Sequence, residues 1–453
     1  MLDRSHPPAP GTLRPFHFPS FRRLRLNNGT QVIVARLPYL PLIRLDLLAN
    51  AGAQFDPGES CGLATFTSGL LDEGTRRFTA TEIARQTEQL GGKLTSNAGW
   101  NVASCSVSLL SEHLDKGLEL LAEVVLEPTF PVDEVERLRQ QRLADLMQQR
   151  NEARYLAEQY FTRSVYGDGI YGRPMNGFPK SVEALSREAV RAFYRRYYGP
   201  AGHTLLAVGD LDPDAVLQRI EATFGVATGE APPPDPAIRW RTIHGVEVHV
   251  IDRPGAAQTE LRIGHLGISR QHPDDTPVEV MNSILGGKFT SRINLNLRER
   301  RGFTYGAHSR FASRRGPGPF QVSTAVSTEV TGAAVAETLA EIRRIREELV
   351  TPEELDDARS YLRGIFVNQL QTVDDLTARL STLAIYDFAD DYYETYLRAV
   401  DRTDREEVRR MARKHLDPDN TVIIAVGPAA DLVPQLESLG AVRVWDPRQD
   451  AGL

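Results

Sequence analysis

The sequence predicts an α+β protein made of two tandem halves, each an antiparallel sheet covered by helices, joined by one linker. Three observations carry this expectation. The proline-rich segment Ala231-Pro-Pro-Pro-Asp-Pro236 stiffens the chain near its middle and forbids helix or central strand there. Apolar and polar residues alternate on both sides of that segment, as they do in half-buried strands. The order of elements before it repeats after it, at a period far longer than any solenoid's, which points to an internal duplication. The expected division is a first domain over 15–229, a linker over 230–239 and a second domain over 240–448.

Each element has its own reason. The first half begins with Gln31-Val-Ile-Val-Ala35 and Ile43-Arg-Leu-Asp-Leu-Leu48, answered in the second by Val246-Glu-Val-His-Val-Ile251 and Thr259-Glu-Leu-Arg-Ile263. The Gln31 run is more continuously apolar than the others, which suits a strand buried on both faces. A helix ending in glycine follows in each half, then another alternating strand: Ala103-Ser-Cys-Ser-Val-Ser-Leu109 and Phe320-Gln-Val-Ser-Thr-Ala-Val326. Amphipathic helices come next, Leu114 to Leu126 and Ala333 to Glu348. Pro131 and Pro352 are each expected at a first helical position, with acids behind them that complement the helix dipole. Each half closes on a short strand ending in glycine, Thr204-Leu-Leu-Ala-Val-Gly209 and Thr421-Val-Ile-Ile-Ala-Val-Gly427.

Composition narrows the function. At 453 residues the chain can bury a sizeable core. A net charge of −7 with acids and bases interspersed gives no electrostatic footprint for nucleic acid. Cys61 and Cys105 allow at most one disulfide and no cysteine-rich metal site; two buried free thiols are the expectation. No stretch approaches the roughly 20 apolar residues of a membrane span, and the segment Met1-Leu-Asp-Arg-Ser-His-Pro-Pro-Ala-Pro-Gly11 has no apolar run of the signal-peptide kind. A cytoplasmic protein without membrane contact is expected, with export of a processed form left open.

The most informative stretch is Gly62-Leu-Ala-Thr-Phe-Thr-Ser-Gly-Leu-Leu-Asp-Glu-Gly-Thr75. It resembles the zinc helix of the inverzincins, the insulinase/pitrilysin and mitochondrial processing peptidase family, which reads Gly-Leu-Ala-His-Phe-x-Glu-His-(apolar)2-x-x-Gly-Thr. Gly62, Leu63, Ala64, Phe66, Leu70, Leu71, Gly74 and Thr75 keep the frame. Thr65 and Gly69 stand at the two zinc-ligand positions, and Ser68 at the general-base position. Two His one helical turn apart project from one face, and a Glu beside the second can work on a metal-bound water. Hydroxyls are poor zinc ligands and glycine is none. The family's third ligand, a Glu on a later helix, maps near Asp145, where a lone carboxylate also reads as a solvated or salt-bridged helix residue. The ten histidines include no i,i+2 or i,i+4 pair that could replace the site, so no metal is expected on this chain. The resemblance runs from about Phe21 to Gly427 and implies tandem homologous α/β-roll domains.

The second half carries Leu285-Gly-Gly-Lys-Phe-Thr-Ser-Arg-Ile-Asn-Leu-Asn-Leu-Arg-Glu-Arg-Arg-Gly-Phe-Thr-Tyr305. This resembles the same family's pattern of a Gly-rich turn, a helix ending in Leu-Arg-Glu, then Gly and Tyr. The resemblance implies that Arg298 grips a substrate backbone and that Tyr305 steadies the oxyanion of peptide hydrolysis, both reaching across a closed chamber. Read without it, the segment is a solvated helix end followed by a core aromatic. The segment Leu90 to Asn101 resembles the family region leading to an edge strand, which implies that Asn97 and Ala98 line a peptide added as a further β-strand. Gly91 and Gly92 serve equally as a helix C-cap.

Three functions follow from these residues. The first is a non-catalytic subunit of a heterodimeric zinc metallopeptidase, lending Arg298 and Tyr305 in trans to a homologous partner that carries HxxEH and the zinc, and enclosing a peptide or unfolded polypeptide. The second is a catalytically inert structural or peptide-binding shell. The third, an active metallopeptidase with a displaced site, has the least support.

Overall fold

The computed structural model describes residues 16–448. The opening segment Met1 to Gly11 and the expected domain start at residue 15 lie outside the described residues.

Among the described residues, twelve strands form two six-stranded sheets. The first contains β1 (Phe21–Arg25), β2 (Gln31–Arg36), β3 (Leu42–Ala49), β4 (Lys93–Ala98), β5 (Ala103–Leu110) and β6 (His203–Gly209), in the order β1-β2-β6-β3-β5-β4. The second contains β7 (Glu247–Asp252), β8 (Gln258–Leu266), β9 (Ala307–Phe311), β10 (Pro319–Ser327), β11 (Val422–Gly427) and β12 (Val442–Trp445), in the order β12-β7-β11-β8-β10-β9. The two orders are the same, except that the outermost place is filled by the first strand in one half and by the last in the other.

The expected antiparallel sheets, covered by helices, also contain parallel pairs. Strands β2 and β3 follow one another through a short turn and run in opposite directions. A strand slotted between them must be parallel to one and antiparallel to the other. Strand β6 therefore pairs parallel with β2 and antiparallel with β3. The second sheet repeats this with β11 between β7 and β8, and adds β12 parallel to β7.

Five helices of the first half matter below: α1 (Leu63–Ser68), α2 (Ala80–Gln89), α3 (Leu114–Leu126), α4 (Val132–Gln149) and α5 (Ala153–Tyr166). The Thr79 hydroxyl and the Glu82 carboxylate form a capping box at the start of α2. Beyond its end, Gly91 takes a φ of +60°, the left-handed conformation of a C-cap. Pro131 is the N-cap of α4 and so sits one position before the expected first helical residue; Pro352 occupies that position in the Pro352–Asn368 helix.

The halves exchange helices. Helices α1 and α3 pack on the first sheet, but α5, from the first half by sequence, lies on β8 and β11 of the second. In return, the Val373–Ile385 helix lies on β3 and β6 of the first. Each sheet is thus covered by its own helices on one face and by the other half's helix on the opposite face. That is why the β2 run is apolar throughout. Val32 and Val34 join the first half's own core, whereas Ile33 and Ala35 join the core that contains Leu376, Leu380 and Leu383. Likewise Val422, Ile424 and Val426 meet α5, while Ile423 and Ala425 face the other way. Each aliphatic side chain so buried contributes roughly 1.5–3 kcal/mol.

Residues 226–243 carry no regular element and are tied to both halves. Asp235 accepts from Gln54 Nε2 at 2.8 Å and from Arg315 Nη1 at 3.0 Å. The Arg314 guanidinium lies 4.5 Å from the Trp100 ring centroid and 4.7 Å from that of Tyr171. The Tyr171 hydroxyl accepts from Asn101 Nδ2 at 3.0 Å and from Gly316 N at 3.2 Å, stitching the halves together.

Candidate functional site

Helix α1 begins at Gly62, whose φ of +96° favours glycine and whose hypothetical Cβ would fall 2.9 Å from the Asn176 backbone. The buried Asp56 carboxylate accepts from Gly62 N and Ala64 N, both at 2.8 Å, and so supplies the acceptor that the helix start requires. Burial pushes its pKa up to about 7, against those hydrogen bonds, which favour the charged form. Leu63, Ala64, Phe66, Leu70 and Leu71 all enter the first half's core. The conserved-looking frame is therefore a packing frame.

The three divergent positions face different surroundings. Thr65 is 7% exposed and donates to Met175 O at 2.9 Å. Ser68 is fully buried beside the Tyr198 phenol, whose pKa burial raises and the Ser68 hydroxyl moderates. A Cβ at Gly69 would stand in van der Waals contact, 3.4 Å from both Leu138 Cδ2 and Thr65 O.

The third expected position changes. Leu138, Arg142 and Asp145 share a face of α4 by helical periodicity, yet it is Arg142 that meets α1. Its Nη1 donates to Thr65 Oγ1 at 3.0 Å and to Asn176 Oδ1 at 3.1 Å. Asp145 is exposed one turn further on and acts on Arg142 only as a neighbouring charge. The lipophilic Leu138 and the cationic Arg142 fill the place where a zinc ion would need anionic or imidazole ligands, so these residues do not fit zinc. Arg142 was not singled out from sequence, because its meeting with Thr65 depends on how α1 and α4 lie against each other.

Among the described residues, one group of three side chains could hold a metal ion: His272, Asp274 and His415. It contains none of the predicted site residues. Sequence spacing could not bring His272 and His415 together; the fold does, with ring centroids 5.3 Å apart. Asp274 Oδ2 is already engaged by Lys414 Nζ at 2.6 Å and by His415 Nε2 at 2.7 Å. A cation is thus already supplied.

The second half treats its motif differently. The segment is a helix Asp275–Asn282 followed by π-helical turns over Ser283–Gly287 and Leu295–Arg300, a geometry frequent at functional sites. A Cβ on Gly286 would fall 2.3 Å from Ser309 Oγ, so only glycine lets the turn lie against β9. Arg292 makes a bidentate pair with Glu354 at 2.7 and 2.7 Å, and Lys288 pairs with Asp357, fixing the motif to the Pro352–Asn368 helix. Thr304 Oγ1, held by Gly306 O at 2.9 Å and by Thr324 Oγ1 at 3.0 Å, braces the turn that presents Tyr305.

On this braced base the tips are open. Tyr305 is 93% exposed and Phe289 is 65% exposed. The Arg298 guanidinium stacks over the Phe289 ring at 4.5 Å and pairs with Glu299 at 3.3 Å. No hydrogen bond joins Arg298 to Tyr305 among the described residues. Tyr305 is no core aromatic. The remaining candidates, Asn97 and Ala98, lie at the end of β4, the edge strand of the first sheet. Ser104 Oγ donates to Asn97 Oδ1 at 3.1 Å, and among the described residues no strand pairs with the outer backbone edge of β4. Cys61 and Cys105 are buried free thiols, raised by burial to about 12 each.

Comparison with known proteins agrees with this anatomy. A sequence model described as Insulinase (Peptidase family M16) matches residues 31–177, and one described as Peptidase M16 inactive domain matches residues 184–362. An uncharacterized zinc protease of Rickettsia bellii is 26% identical over 348 residues, 76% of this chain and 82% of that protein. One from Streptomyces coelicolor is 22% identical over 415 residues, 90% of each. A solved structure from Pseudomonas fluorescens, described as a peptidase M16 inactive domain, superposes with a TM-score of 0.84 at 28% identity, covering 90% of this chain and 98% of that one. A protease from Helicobacter pylori shares the fold with a TM-score of 0.86 at 18% identity, covering 91% of this chain and 100% of its own. No helix among the described residues is long and apolar enough to cross a membrane.

Proposed function

The chain belongs to the insulinase family, peptidase family M16, and from that premise we propose that it is the non-catalytic subunit of a heterodimeric zinc metallopeptidase. It encloses a peptide or unfolded segment against a homologous subunit that carries HxxEH. The metal belongs to that partner; this chain lends Arg298 and Tyr305. One observation carries the reading: the zinc-ligand positions of the first half lie against Leu138 and Arg142, which cannot hold zinc, while the motif of the second half is braced at its base and exposed at its tip. Hydrolysis of a peptide builds negative charge on the former carbonyl oxygen. A phenol and a guanidinium held rigidly near it are strong donors, each worth about 2.7–4 kcal/mol of transition-state stabilisation.

The test is reconstitution. The isolated chain is expected to hydrolyse no peptide, and the pair to be active. Arg298→Ala and Tyr305→Phe should lower kcat while the pair still assembles at the same concentration by sedimentation. Unchanged turnover in both variants removes the in-trans role. A second reading, an inert peptide-binding shell, draws on one observation, the engagement of Arg298 by Glu299 and Phe289. Unchanged turnover would leave that reading standing.

A further inference from the structure

Arg142 is a charge that the proposed function leaves unused. Its surroundings are uneven. Nη1 is tethered to two neutral oxygens, Thr65 Oγ1 and Asn176 Oδ1. Thr65 is itself pinned through its donation to Met175 O, so the tether is stiff. Nε and Nη2 make no hydrogen bond among the described residues, and neither is sealed from solvent. These two nitrogens form the side-on edge of the guanidinium, whose parallel N–H groups match the two oxygens of a carboxylate. No ion pair of Arg142 exists among the described residues. The acid that acts on it is Asp145, exposed on the next turn. Burial is the main influence on the group and works against its charge. A guanidinium drawn partly out of water without a counter-ion is costly, and an anion on its free edge relieves that cost.

We propose that the free edge of Arg142 is a carboxylate-binding site that takes the C-terminal carboxylate of an enclosed peptide. This rests on the reading that the chain encloses peptides. The pocket that would have presented a cation as a metal ion presents one as a planar fork. Asn176 and Asp145, both exposed, form its rim. Asp145 weakens the site by like-charge repulsion. The fork favours a carboxylate over a peptide carbonyl because only the former offers two anionic acceptors in one plane.

The experiment measures binding of a fluorescently labelled hexapeptide with neutral side chains to the full isolated chain, by anisotropy. It is run with the free acid, with the C-terminal amide, and with an amide bearing one internal Glu. The free acid is expected to bind about tenfold more tightly than the plain amide. That preference should disappear in Arg142→Gln, persist in part in Arg142→Lys, and widen in Asp145→Asn. Equal binding of acid and amide by the unaltered chain overturns the carboxylate site and leaves peptide enclosure intact. So does an acid preference that survives Arg142→Gln. An internal-Glu amide that binds as tightly as the free acid overturns the C-terminal assignment. Binding of none of the three peptides by the isolated chain overturns the carboxylate site, while enclosure against a partner is tested separately by the reconstituted pair.

Discussion

The two halves share one sheet order and one sequence of elements, yet they have put opposite ends of their motifs to use. In the first half the frame residues Leu63, Ala64 and Phe66 are packed into the core, and Thr65, Ser68 and Gly69 lie under Arg142, Tyr198 and Leu138. In the second half Gly286, Arg292 and Thr304 are locked, Arg298 is half-buried against Phe289, and Phe289 and Tyr305 reach outward. A packing frame persists because its loss unfolds the protein, whatever chemistry it once displayed. An exposed tyrosine on a heavily braced turn has no such reason within its own chain. On the proposed function, the contrast separates residues that hold the fold from residues placed to meet a partner or its substrate.

Four experiments break or sharpen that contrast. The largest effect is expected from Phe66→Ala, which empties a fully buried position and should cost about 3–5 kcal/mol in chemical denaturation. A loss below about 1 kcal/mol would mean that α1 is not the packing element described. Next come Arg298→Ala and Tyr305→Phe, each expected to lower kcat of the reconstituted pair about a hundredfold while changing stability by less than about 0.5 kcal/mol. The reverse pattern, stable turnover with a weakened fold, would turn the motif into a second packing frame.

A smaller effect tests acid sensitivity. Burial lowers the pKa of His203, at the start of β6, to about 4, and also lowers that of His265 in β8. Between pH 6.5 and 4 the unfolded chain binds a proton that folded His203 does not, so stability falls as pH falls through that window. The raised carboxyl of Asp56 acts in the opposite sense, its contribution declining as pH rises from 3.8 towards 7. His203→Gln should therefore show a shallower drop in Tm from pH 6.5 to 4 than the unaltered chain. An identical slope would exclude His203 as a contributor. The smallest effect is none at all. Thr65→His, Ser68→Glu and Gly69→His together should not yield stoichiometric zinc by elemental analysis, because Leu138 and Arg142 hold the pocket. Zinc retained by that triple variant would show the pocket to be open.

Much of the fold was legible in the residues. Alternation located β3, β5 and β10 to within one residue and β8 to within three, because each lies against a core with a defined period. Strands β1 and β12 were not legible: the first is a half-exposed edge rich in arginine, and the second is a short outer strand. The exchange of α5 and the Val373–Ile385 helix was hidden as well. An amphipathic pattern states that a helix has an apolar face, not which sheet receives it. At the site, motif register points to Arg298, Tyr305, Thr65, Ser68 and Gly69 as candidates, whereas the place of Arg142 beside Thr65, ahead of Asp145, depends on how two helices lie against each other. Spacing along the chain carries no such information.

The exchanged helices also bear on how this chain is made. The first half holds all six strands of its sheet but cannot cover it as it leaves the ribosome, since the face bearing Ile33, Ala35, Leu206 and Val208 is covered by residues 373–385. At ordinary elongation rates that face stays uncovered for on the order of ten seconds after β6 emerges, an interval in which a bare apolar sheet invites chaperones or aggregation. The 230–239 segment is therefore no seam between independently folding units. Fragments cut there should be soluble only when mixed, and the chain should appear in the cell late and all at once.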